Sequence, residues 1–178
     1  MKIVAIITAR GGSKRIPKKN IKEFCGKPII AYSIEAALQS GMFDEVMVST
    51  DSQEIAEIAK SYGAEIPFMR SDENANDMAD TTDVLKEVLD RYRQQGKYYD
   101  EFCCIYPTAP FVTAQKLQES HKLLEQKNVY NVVPMVSFSF PPQRGMVLRD
   151  GVLQPVQPEA IDMRSQDLET VLHDCGQF

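Results

Sequence analysis

Short apolar runs rich in β-branched residues alternate with amphipathic stretches along most of this chain, and that alternation limits the possible folds more than any other feature. "KIVAIITA" (2–9) comes first, a continuous apolar run that suits a strand covered on both faces of a parallel sheet. In "KPIIAYSIEAALQSG" (27–41), Ile30, Ile34, Ala37 and Leu38 fall on one helical face, with Pro28 near the start and Gly41 at the end. "DEVMVST" (44–50) is a second strand. "DSQEIAEIAKSYG" (51–63) is a second helix, with Asp51 and Glu54 as a capping-box start, Ile55, Ala59 and Tyr62 as its stripe and Gly63 as its stop.

The pattern then repeats. "AEIPFMR" (64–70) reads as a shorter third strand and "SDENANDMAD" (71–80) as a polar loop. Val84, Leu85, Val88, Leu89 and Tyr92 predict a helix over 81–95. "YDEFCCIY" (99–106) is a fourth strand, ended by the prolines of "PTAP". Leu117, His121 and Leu124 stripe a further helix, and "YNVVPMVSFS" (130–139) reads as a fifth strand. Such an order implies an α/β fold with an open, doubly wound, mainly parallel sheet. From about Pro141 the pattern changes to short strands around Asp150-Gly151, a β-hairpin excursion over about 141–163, and "HDCGQF" ends the chain where another strand can begin.

At 178 residues the expectation is one domain (1–178), continuing in the natural protein beyond Phe178. No apolar run approaches membrane-spanning length and no secretory leader is recognisable, so a cytoplasmic protein without membrane contact is expected. The four cysteines lack paired CxxC spacing and read as reduced thiols. A net charge of -5 argues against bulk nucleic-acid binding.

Against that acidity, "ARGGSKRIPKKN" (9–20) gathers Arg10, Lys14, Arg15, Lys18 and Lys19 directly after the first strand. Ligands of open parallel sheets sit at the carboxyl ends of the strands. Gly11 and Gly12 allow close approach of backbone to a phosphate, Ser13 adds a hydroxyl, and the cations suit a triphosphate. Neither GxxxxGK[ST] nor GxGxxG is present, which removes the P-loop and the dinucleotide fingerprint. A haloacid-type phosphatase needs a D-x-D after strand one, where Thr8-Ala9-Arg10 stands.

"TARGGSKRIPKKNIKEFCGKPIIAYSIEAAL", with its AR-x-x-SKR-x-x-x-KNI pattern, resembles the opening of the acylneuraminate cytidylyltransferases (CMP-nonulosonic acid synthetases). Together with "VSTDS" and "RSQDLETVLHDCG" it is most similar to the pseudaminic acid branch of that family. The resemblance implies a nucleotidyltransferase that joins CTP to a nonulosonic acid sugar, as a homodimer with Mg2+. It implies Arg10 and Lys19 as catalytic residues, and Arg10, Gly11, Ser13, Lys19 and Asn20 around the triphosphate and ribose. Lys14 and Arg15 either assist or are solvated. Arg70 is implied at the cytosine, with backbone groups of Ala79 and the hydroxyl of Thr81; a planar donor fork suits O2 and N3 of that base.

On the sugar side the resemblance implies Tyr106, where relatives of the sialic acid type carry glutamine. Arg144 and Arg164 are candidates for the sugar carboxylate or else exposed ion-pair residues, and His173 is placed beside the sugar. His121 reads as a packing residue. The family's Mg2+ is held by a D-x-D pair on a late loop, and no matching pair occurs here; its ligands are unknown and expected beyond Phe178. Asp72, Asp77, Asp80 and Asp83 read as caps and solvated carboxylates. That gap leaves an alternative, a nucleotide-binding or assembly domain without turnover.

Overall fold

Residues 1–76, 78–127 and 129–178 are described by the computed structural model, and the chain divides into two compact units, Met1–Val132 with Gly176–Phe178, and Val133–Cys175. The first is built around β1 (Ile3–Thr8), in which Ile3, Val4, Ala5, Ile6 and Ile7 are all buried. There follow the two-residue strands β2 (Glu23–Phe24) and β3 (Lys27–Pro28), α1 (Ile29–Ser40), β4 (Glu45–Ser49), α2 (Gln53–Ser61), α3 (Asp72–Ala75), α4 (Thr81–Gln94), β5 (Glu101–Ile105) and α5 (Ala114–Lys127). β1 pairs in parallel with β4 on one edge and β5 on the other, giving the order β4-β1-β5.

Alternation along β1 assigns the two faces of this sheet. Ala5 and Ile7 pack with Ile30 and Ile34 of α1, Ile55 and Ala59 of α2 and Leu117 of α5, while Val4 and Ile6 pack with Val88 and Tyr92 of α4. Helices on both faces of a parallel sheet make the fold the expected α/β class. Winding proceeds outward from β1 in both directions, so a crevice opens at the carboxyl ends of β1 and β5, where the direction reverses.

Several local expectations change. The 64–70 segment is reduced to one bridge, Glu65 to Met47, because Pro67 offers no N–H to extend the ladder. Ser52 caps α2 by accepting from Ile55 N at 3.4 Å, leaving Asp51 to another partner. Leu38 is 42% exposed rather than on the buried stripe of α1. The polar loop after Arg70 contains the short helix α3.

The second unit holds β6 (Met135–Ser137), β7 (Met146–Arg149), β8 (Val152–Pro155) and β9 (Leu172–Asp174). The fifth strand is therefore shorter than expected, and it pairs antiparallel with β9 instead of joining the parallel sheet. β7 and β8 form an antiparallel hairpin with Arg149 opposite Val152. Asp150 and Gly151 take φ of 50° and 78°, the mirror-image turn whose twist matches its flanking strands.

Candidate active site

Two loops leave the carboxyl ends of β1 and β5 and, with the segment around Arg70, enclose a cleft of about 670 Å³. The first loop is tied to the turn that follows β4. Ala9 N donates to Ser49 O at 2.9 Å and Gly11 N to the Asp51 carboxylate at 2.7 Å. A Cβ on Gly11 would lie 3.0 Å from Ser52 Cβ, so this glycine is needed where the loop presses on the start of α2. Gly12 has open space around it.

Further along, Asn20 is buried and donates from Nδ2 to the Arg10 carbonyl at 2.9 Å, drawing the loop's two ends together. Lys18 takes a left-handed φ of 53° before a single 3-10 turn, Lys19–Ile21. The two neighbouring lysines then diverge. Lys18 bonds Glu54 at 2.7 Å, whereas Lys19 lines the cleft with Arg10, Ser13, Lys14, Arg15 and Asn20.

Arg70 forms the opposite wall. It is 7% exposed, and its guanidinium donates from Nε to Ser49 Oγ at 3.1 Å and from Nη2 to Ser49 O at 2.6 Å, while its own N–H reaches Thr50 O at 2.8 Å. Burial lowers its pKa from the usual arginine range, Asp51 and Glu87 oppose that, and Arg10 adds to it. Arginine stays charged regardless. The result is a buried cation held by neutral acceptors, a pre-formed seat for an electron-rich ligand group.

Behind Arg70, Glu87 accepts from Ser71 N at 2.8 Å, Ser71 Oγ at 3.0 Å and Asn74 Nδ2 at 2.6 Å. Desolvation raises the pKa of this carboxyl, and these donors, with Arg91, outweigh it and hold the group below its usual range. Asn76 Oδ1 accepts from Met78 N at 2.7 Å and Ala79 N at 3.0 Å, so the Ala79 N–H is committed. Asp80 and Asp83 form a capping box that starts α4 and sets Thr81 on its first turn. Arg10 Nη1 reaches Asn76 O at 3.1 Å, joining the walls. Ala79, Thr81, Tyr106, Pro107 and Thr108 also line the cleft, with Tyr106 O accepting from Ser33 Oγ at 2.7 Å.

Among the described residues, five cations, Arg10, Lys14, Arg15, Lys19 and Arg70, therefore face the cleft with one carboxylate, Asp80. Such an excess suits a polyanion. Of the residues that the sequence singles out for the nucleotide, Arg10, Ser13, Lys19, Asn20, Arg70, Ala79 and Thr81 line this one space, as does Tyr106; Gly11 lies beneath it, against α2. Arg144, Arg164 and His173 belong to the second unit. Arg144 bonds Ser165 Oγ at 3.2 Å and Ile161 O at 3.3 Å, Arg164 grips Asp167 at 2.7 and 3.1 Å, and His173 Nδ1 lies 2.9 Å from Asp174 O. His121 is paired with Glu101 at 2.9 Å.

Sequence reasoning quoted "VSTDS" as a point of resemblance but missed its role, the Ser49–Ser52 turn that ties both walls. Its signal was a run of polar residues at the carboxyl end of a strand. Among the described residues no group of three or more His, Cys, Asp or Glu side chains is placed to hold a metal ion, and Asp77 lies outside the described residues. Burial pushes the Cys103 thiol up to about 12 and the Cys104 thiol up to about 11, so neither supplies a thiolate nucleophile near neutrality.

Residues 4–146 match the family model described as cytidylyltransferase. The chain is 41% identical over 179 residues to a pseudaminic acid cytidylyltransferase of Campylobacter jejuni, an alignment covering 100% of this chain and 77% of that one. It is 41% identical over 138 residues to a CMP-N,N'-diacetyllegionaminic acid synthase of Legionella pneumophila, covering 76% of this chain and 59% of the relative. In fold it resembles a CMP:2-keto-3-deoxy-manno-octonic acid synthetase complexed with CTP, with a TM-score of 0.67 at 23% identity over 99% of this chain and 72% of that one. These relatives are enzymes, and the reading as a binding module without turnover is not favoured. A cation-lined cleft at the switch point of a parallel sheet, together with a family match across most of the chain, makes this an enzyme of the nucleotidyltransferase class that belongs to the cytidylyltransferase family.

Proposed function

We propose that the chain transfers the cytidylyl group of CTP to a nonulosonic acid, pseudaminic acid foremost, giving a CMP-sugar and pyrophosphate. The observation that carries this reading is the excess of cations around one cleft at the ends of β1 and β5. The anomeric hydroxyl oxygen of the sugar attacks the α-phosphorus, the bond from that phosphorus to the bridging oxygen of the β-phosphate breaks, and the hydroxyl proton passes to solvent. Negative charge then builds on phosphoryl oxygens and on departing pyrophosphate. Pre-placed cations stabilise that charge without reorganising, so Arg10 and Lys19 act electrostatically, with Ser13 and Asn20 positioning the triphosphate and ribose.

Base selection falls to the other wall. Arg70 presents its guanidinium to O2 and N3 of cytosine, and Thr81 offers a hydroxyl. Because Asn76 takes the Ala79 N–H, Ala79 has its carbonyl left to accept from the cytosine 4-amino group. UTP carries an oxygen at that place and is rejected there.

Tyr106 and His173 are proposed to border the sugar, and Arg144 and Arg164 are proposed partners of its carboxylate. Arg164 must then exchange Asp167 for the substrate. The segment 141–163 is proposed as the dimerisation element, since Leu148, Val152 and Leu153 on its hairpin are exposed and apolar. No helix among the described residues is long and apolar enough to cross a membrane; the cytoplasm is the proposed setting. Among the described residues no cluster fits the Mg2+ implied by the family, and no step above passes through the ion.

Pyrophosphate release tests the reading, with the longest available form of the chain, CTP and Mg2+ against pseudaminic, legionaminic and N-acetylneuraminic acids. Release that depends on one of these acids, and on CTP over UTP, is expected. No release with any of them sinks it.

A further inference from the structure

Asp51 touches neither the cleft nor a cation. Ser52 caps α2, so the helix does not need this carboxylate, and among the described residues Asp51 forms no ion pair. Its Oδ1 accepts one bond, from Gly11 N at 2.7 Å, across 40 residues of chain. That N–H belongs to the first turn of the cationic loop, whose next bond is Ser13 N to Gly11 O at 2.9 Å.

Around Asp51, one short turn braces both walls. Ser49 O accepts from Ala9 N on one side and from Arg70 Nη2 on the other, and Thr50 O accepts from Arg70 N. Ser52 Cβ abuts Gly11 closely enough that a methyl group there would displace the loop. The loop is thus pressed against the turn from one direction and pulled onto it by a charge-assisted hydrogen bond from the other. Asp51 also lies close enough to Arg70 to favour its charged form, which joins the same carboxylate to the opposite wall.

We infer that Asp51 is a positioning residue of the proposed nucleotide site: by holding Gly11 N it fixes the curvature of the 10–20 loop, and so the placement of Arg10, Ser13 and Lys19 toward the triphosphate. This rests on the cytidylyltransferase reading for its ligand, and inorganic tripolyphosphate, which carries no base, separates the two. Without an acceptor the Gly11 N–H leaves its bond unmade and the loop loosens. A hydrogen bond to a charged group of this kind corresponds to about tenfold in binding.

Titration calorimetry of the full chain with inorganic tripolyphosphate and with CTP, alongside melting temperature, provides the test. Asp51→Ala is expected to weaken tripolyphosphate binding about tenfold, and Asp51→Asn, whose Oδ1 still accepts from Gly11 through a neutral bond, to recover part of that loss. Asp51→Glu, which keeps the charge but lengthens the arm, should lose as much as Asp51→Ala and stands in for it if that variant does not fold. Wild-type affinity in Asp51→Ala or Asp51→Glu overturns the assignment, as does an Asp51→Asn variant that is folded yet as weak as the others. A wild-type chain that binds tripolyphosphate but not CTP removes the cytidylyl reading and leaves Asp51 in its place; one that binds neither removes both.

Discussion

The two units use apolar residues in opposite ways. In the first, the β1 run from Ile3 to Ile7 disappears between α1 on one face and α4 on the other. In the second, the hairpin residues Leu148, Val152 and Leu153 are 69%, 60% and 63% exposed, and Ala160 is the one buried residue among those described. Both regions satisfy their backbones by strand pairing, but only the first adds a layer over each face. A two-stranded ribbon alone is marginally stable, and the second unit leaves exposed the kind of residue that the first unit buries in its core.

This contrast should appear first in catalysis. Arg10→Ala and Lys19→Ala, in the first unit, are each expected to lower CMP-sugar formation by about 10²–10³-fold, with folding unchanged. Arg164→Ala, which removes an exposed side chain already occupied by Asp167, should raise the KM for the sugar about tenfold or less and leave that for CTP alone. Steady-state kinetics with each substrate varied would check this division. Near-normal turnover in either loop variant breaks it.

Stability comes next. Ile34 is fully buried in the α1 layer, and Ile34→Ala should cost about 2–5 kcal/mol in urea unfolding. Leu148→Ala should change the same measurement by less than about 0.5 kcal/mol. Equal losses would mean that the hairpin is covered by a core of its own, and the comparison would fail.

Elements that depend on local periodicity were readable from the chain: the β1 run, the α4 stripe, the α1 stripe apart from Leu38 and the Asp150-Gly151 turn form where expected. Those that depend on distant partners were not. Nothing near "YNVVPMVSFS" indicates that β6 pairs with β9, because that partner lies some forty residues away. Similarly, the glycines and cations after β1 mark an anion loop, yet the charge pattern treats Lys18 and Lys19 alike. It is the left-handed backbone at Lys18, and the placement of Glu54 across a tertiary contact, that sends one lysine out and the other in. Arg70 is readable as a strand-end arginine, whereas its burial depends on Ser49, 21 residues earlier.

The smallest expected effect sharpens the comparison by pH. Glu45, in the first unit, accepts from Tyr92 at 2.5 Å, Tyr99 at 2.6 Å and Lys97 at 2.9 Å. Desolvation raises its pKa, and these three donors overcome that and leave it below the ordinary 4.5. In the unfolded chain the carboxyl returns to its ordinary value, so the unfolded state binds the proton first as pH falls. The stabilisation is therefore complete above the ordinary value and is lost as pH drops below 4.5 through the depressed folded-state value. Glu45→Gln keeps one acceptor and loses the charge, for an expected cost of about 1 kcal/mol at pH 7. Denaturant titrations from pH 7 to pH 3 should show that gap between wild type and variant constant down to the ordinary carboxylate range and closing below it. The exposed Arg164–Asp167 pair of the second unit, screened by water and salt, should give no comparable gap when Asp167→Asn is treated in the same way. A gap that opens rather than closes on acidification would mean that Glu45 is protonated in the folded protein, and the polar cluster at the foot of the sheet would then be working against the core instead of with it.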